Sequence, residues 1–64
     1  MSDTAAAELA VTADHLDRYR ERIAGVATSL KGGPHDDAIA AIYEAERSLR
    51  TANRLLTRAA SLLG

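Results

Sequence analysis

The chain contains no cysteine, no phenylalanine and no tryptophan, and only one proline and two tyrosines. Without cysteine, neither a disulfide nor a thiolate metal site can staple so small a fold. Without large aromatics, the apolar 47% is largely alanine and aliphatic residues, so each buried position contributes little at about 25 cal/mol per Å². No stretch approaches the roughly 18 consecutive apolar residues that read as a membrane span. A formal charge of −1 offers no global attraction to nucleic acid or to an anionic membrane. No positive segment precedes an apolar run at the start, which argues against a cleaved secretory signal, and a cytoplasmic location is expected. Arginine outnumbers lysine seven to one, a bias that accompanies GC-rich coding and points to a bacterial source.

What is present is a pair of heptad ladders separated by one breaker, Lys31-Gly32-Gly33-Pro34. Leu9, Leu16, Tyr19, Ile23, Val26 and Leu30 fall on spacings of three and four, the seam of a helix packed lengthwise against another. Leu9, Leu16, Ile23 and Leu30 form one row, and Thr12, Tyr19 and Val26 are expected to form the second, with the Thr12 hydroxyl bonding a carbonyl one turn back. This helix is expected over about 5–30, with Met1 to Thr4 as a frayed lead in which Ser2, Asp3 or Thr4 caps the first amides. Gly25 lies within it, where a glycine costs about 1 kcal/mol relative to alanine, so a close backbone approach is expected there. Lys31 meets the negative end of the helix dipole, Gly32 suits the left-handed closing residue, and Gly33-Pro34 prevents continuation.

The second helix is expected over about 36–63, opened by Pro34 or Asp36, with Asp36 and Asp37 complementing its positive dipole end. Ile42, Leu49, Leu56 and Leu63 recur every seventh residue, bordered by Ala38, Ala45, Ala52 and Ala59 on one side and by Ile39, Glu46, Asn53 and Ala60 on the other. Leu55 and Leu62 widen the apolar face beyond what one partner helix covers. The reading is a single all-α domain over 1–64: an antiparallel two-helix hairpin with its turn at 31–35, dimerising into a four-helix bundle with twofold symmetry. The expected interface residues are Ile42, Leu49, Asn53, Leu55, Leu56 and Leu62.

Few residues are left over for chemistry. Asn53 falls at a seam position, either solvated at its edge or buried and setting register. Arg47, Arg50, Arg54 and Arg58 line one side of the second helix and could contact phosphates or an acidic partner. If the chain folds back near Gly33, residues whose numbers sum to about 67 face each other. That register pairs Asp17 with Arg50, Asp14 with Asn53 and Arg54, and Arg22 with Glu44 and Glu46, and such pairing is the expected use of the stripe. His15 and His35 lie far apart, and no Glu-x-x-His pair provides the metal pattern of helical bundles. Ser29, Ser48 and Ser61 have no matching base, and Lys31-Gly32-Gly33 lacks the rest of a phosphate-binding loop. Tyr43, beside Ile42, is expected as a partly exposed contact at the second interface. Neither catalysis nor a cofactor or metal is expected.

With its Gly32-Gly33-Pro34 turn, the helix-turn-helix layout resembles the small secreted hairpins of the WXG type from Gram-positive bacteria. The resemblance is one of topology. The turn carries no tryptophan, and Arg47 and Ile23 stand four residues after Tyr43 and Tyr19, where that family's export signal has an acid. The paired helices also look like the dimerising part of polyketide-synthase docking domains. The expected function is a non-enzymatic interaction or oligomerisation module: a small adaptor, scaffold or regulatory subunit whose first partner is itself and whose second could be another helical protein. Two alternatives stand behind it: a nucleic-acid-associated protein using the arginine stripe, and a secreted hairpin effector of WXG-like topology.

Overall fold

The computed structural model describes residues 2–64, and side chains from residue 4 onward. The described residues form two long helices, α1 (Ser2–Leu30) and α2 (Asp36–Leu63), with no strand. They fold into an antiparallel hairpin, a rod with principal extents of 51 × 14 × 9 Å. Helix α1 begins at Ser2 and not at Ala5, so Thr4 is helical. The expected cap by Ser2 or Asp3 concerns side chains outside the described residues.

The turn follows from its residues. Lys31 stands one residue beyond α1, and its amide donates to the Thr28 carbonyl at 3.3 Å. Gly32 takes the left-handed conformation at φ 90°, and the Gly33 amide closes onto the Leu30 carbonyl at 3.3 Å. His35 caps α2 through its backbone, its carbonyl accepting from the Ile39 amide at 2.9 Å, with no side-chain cap bond. Asp36, and not Pro34, opens the helix, with Asp37 beside it in the first turn.

The faces that meet differ from the expected ones in one row. Leu9, Leu16, Ile23 and Leu30 are half-buried as a ladder, but their partner row is Ala6, Ala13, Arg20 and Ala27. Thr12, Tyr19 and Val26 are exposed, Tyr19 by 50% and Val26 by 48%. A row at every seventh residue can be completed by the residue three or four positions on, and the choice falls to the opposing helix. Opposite lies the bulky row Ile39, Glu46 and Asn53, all half-buried. Alanine admits these side chains where tyrosine and valine would hold the helices apart. Ala13 and Ala27 are the buried hydrophobic residues, exposed by only 4% and 1%.

The Asn53 amide donates from Nδ2 to the Ala13 carbonyl at 2.5 Å, so facing residues sum to 66, one less than expected. Fourteen residues along each helix, the same register sets Ala27 beside Ile39. The Thr12 hydroxyl bonds the Glu8 carbonyl at 2.8 Å, the back-bond expected of it. Gly25 serves no close approach, because a methyl group built there would meet nothing within 4 Å.

The two glycines therefore have opposite consequences. Gly25→Ala should stabilise the hairpin by about 1 kcal/mol, the helix-propensity difference, whereas Gly32→Ala should destabilise it by about 1–2 kcal/mol through the left-handed backbone. Urea denaturation of both variants measures the contrast. Destabilisation by both would mean that Gly25 lies against another backbone after all.

Candidate interaction surface

The middle of the seam carries a polar layer. The Arg20 guanidinium donates to Asp17 Oδ1 through Nη2 at 2.8 Å and Nε at 3.3 Å. That hydrogen bond raises the arginine's pKa against the opposing effect of desolvation, with further help from the charges of Asp17, Glu21 and Glu46. Glu46 reaches the layer from α2, and its Oε1 is buried without a hydrogen-bond partner. Arg20, paired with Asp17, does not satisfy it. The sequence signal for this layer was available in Arg20, four residues after Leu16, and in Glu46, seven before Asn53.

The expected cross-helix ion pairs do not form. Asp14 pairs with Arg18 at 3.0 Å and Asp17 with Arg20 at 2.8 Å, both within α1. Glu44 pairs with Arg47 at 3.7 Å within α2, and the Arg22 guanidinium lies 5.9 Å from the Tyr19 ring centre. A local partner three or four residues away holds its charge without crossing the rod. Arg50, Arg54 and Arg58 accordingly form no ion pair among the described residues. Arg47, Arg50, Thr51 and Arg54 line a shallow groove on the outer face of α2.

The residues expected at an interface divide into two sets. Ile42, Leu49, Asn53 and Leu56 are half-buried within the α1–α2 seam. Leu55 and Leu62 are exposed by 53% and 76%, on a flank of α2 that the hairpin leaves open. The hand of the helices decides which flanks share a side. In an antiparallel pair of right-handed helices, the side of α2 bearing Ala52, Leu55 and Leu62 is also the side on which α1 presents Thr12, Tyr19 and Val26. Tyr43, 44% exposed, lies on the other side with Arg50. The rod thus has one broad apolar face and one polar face. His15 and His35 are both exposed, and among the described residues no group of three His, Cys, Asp or Glu side chains could hold a metal ion. Among the described residues no helix is long and apolar enough to cross a membrane.

No family model, curated protein or solved structure matches this chain, so its surfaces are the basis for a functional reading.

Two substitutions test the polar positions of the seam. Asn53→Leu should lower the melting temperature, because it removes the bond to the Ala13 carbonyl and crowds a buried alanine; a higher melting temperature would show that the bond contributes nothing. Glu46→Leu should do the reverse, stabilising the fold by about 1–3 kcal/mol through removal of a buried unpaired oxygen. Destabilisation by Glu46→Leu would mean that the carboxylate holds Arg20 in solution.

Proposed function

We propose that the chain is a non-enzymatic interaction module that acts as a helical-bundle homodimer, a small adaptor, scaffold or regulatory subunit. The observation that carries this reading is the thinness of the isolated hairpin. It exposes 4739 Å², whereas a compact monomer of this mass exposes about 4,000 Å². The excess is close to the ~800 Å² per partner that a standard interface covers. A second hairpin laid on the broad apolar face would take Leu55, Leu62, Tyr19 and Val26 out of water together, turning two coiled helices into a four-helix core. The setting that goes with this reading is the cytoplasm of a bacterium. Among the described residues the Ser29 hydroxyl donates to the Val26 carbonyl at 2.7 Å and both histidines are exposed, which supports a non-enzymatic reading.

Sedimentation should therefore report a concentration-dependent species of twice 6.8 kDa. A fully helical monomer at every accessible concentration would refute the reading.

One observation favours a second reading, association with nucleic acid, because Arg50, Arg54 and Arg58 have no ion-pair partner among the described residues. Against it, the stripe has a single aromatic neighbour, Tyr43, too few to stack successive bases, and the chain's net charge is −1. Duplex DNA at near-physiological salt should not be retained at micromolar protein. Retention that falls with log salt by about 0.9 per phosphate neutralised, and disappears in a folded Arg50→Glu/Arg54→Glu variant, would promote this reading over the first.

A further inference from the structure

The open flank of α2 is itself a heptad seam. Ala41, Ser48, Leu55 and Leu62 recur every seventh residue and alternate with the alanine row at spacings of four and three. Helix α2 thus carries two seams, one occupied by α1 and one unoccupied. The row bordering the second seam on its solvent side reads Asp37, Glu44, Thr51 and Arg58: two acids, a neutral residue and a base. Such border positions determine which orientation a partner helix takes. The same order runs through the whole helix, in which Asp36, Asp37, Glu44 and Glu46 precede Arg47, Arg50, Arg54 and Arg58 without interleaving.

We infer that a second copy of this chain packs its α2 antiparallel against this seam, about a twofold axis perpendicular to the rod and level with residue 50. The inference rests on the homodimer reading and specifies its geometry. Three features converge on it. Reversing the second helix places Glu44 beside Arg58 of the other copy, and the twofold repeats the pair, whereas a parallel copy would bring acid level with acid and base level with base. The same register sets Leu55 opposite Ala45, Leu62 opposite Ala38, and Ser48 opposite Ala52, so each leucine fills space above an alanine. Nothing within the hairpin competes strongly: Leu55 and Leu62 are among its most exposed apolar side chains, and Glu44 has only a solvated 3.7 Å contact with Arg47. The twofold also lays the Tyr19 and Val26 flank of α1 over the α1 of the other copy, closing a bundle whose neighbouring helices are all antiparallel.

The test exchanges the two border charges separately. Glu44→Arg and Arg58→Glu each place like charges together twice across the axis, and each should weaken self-association by about tenfold or more. Mixed in equal amounts they should form a heterodimer, because both contacts between positions 44 and 58 are then between opposite charges. Thr51 faces its own counterpart across the axis, so Thr51→Cys in this cysteine-free chain should be linked into a dimer by a short bismaleimide, and Tyr43→Cys should not. All these positions are on the surface, and circular dichroism verifies that the variants remain helical. A native dimer indifferent to both charge exchanges, without recovery on mixing and without linkage of the Thr51→Cys variant, would overturn this geometry and leave the homodimer standing. A monomeric native chain would overturn both.

Discussion

The structure depends on how closely two helices can approach along a seam with alanine on one side. Ala13 and Ala27 let the backbone of α1 sit against the bulky row of α2, and that proximity brings the Asn53 amide within reach of a main-chain carbonyl. A main-chain acceptor in mid-helix can be reached only where the facing residue is small. The alanines and the asparagine are therefore one device. It sets register with a single interhelical hydrogen bond among the described residues, but it buries little area, and it leaves larger side chains on the flanks. The exposed leucines of α2 and the exposed tyrosine and valine of α1 follow from that narrow contact.

Much of this was legible in the sequence. The Gly32-Gly33-Pro34 breaker, the leucine ladders and the acidic pair at Asp36 and Asp37 located both helices and the turn within a few residues, because backbone punctuation and heptad spacing are local signals. The choice between the Thr12/Tyr19/Val26 row and the Ala13/Arg20/Ala27 row was not, because it depends on the size of what lies opposite. Larger and more apolar residues made the first row look like the core. The Ile39, Glu46 and Asn53 row made the second one fit. The ion pairs depart from the sequence register for a related reason: Asp14 and Asp17 have their own arginines one turn away, and a short-range partner that needs no cross-rod reach prevails. The candidate surfaces were half legible. Leu55 and Leu62 announced themselves by lying off the main spine, whereas the signal for the Arg20–Asp17–Glu46 layer, Arg20 and Glu46 at seam spacings, was outweighed by the more apolar row beside it.

The two faces of the rod divide the roles its residues can take. Arginine side chains crowd the outer side of α2, where charge keeps the surface hydrated. The exposed apolar residues Tyr19, Val26, Leu55 and Leu62 gather on the opposite side. An acid-first, base-last order along α2 gives that helix a charge direction as well.

The short turn also orders how the chain acquires its fold. Because facing residues sum to 66, the length of chain separating them grows steadily from the turn to the free ends: Ala27 and Ile39 are close in sequence, and Ala6 and Ala60 span nearly the whole chain. The entropy of closing each contact rises with that separation, so contacts near Gly32 cost the least to close and those at the termini the most. The turn thus grades the hairpin along its length, from Ala27, buried beside the shortest loop, to free ends held by the contacts of greatest closure cost.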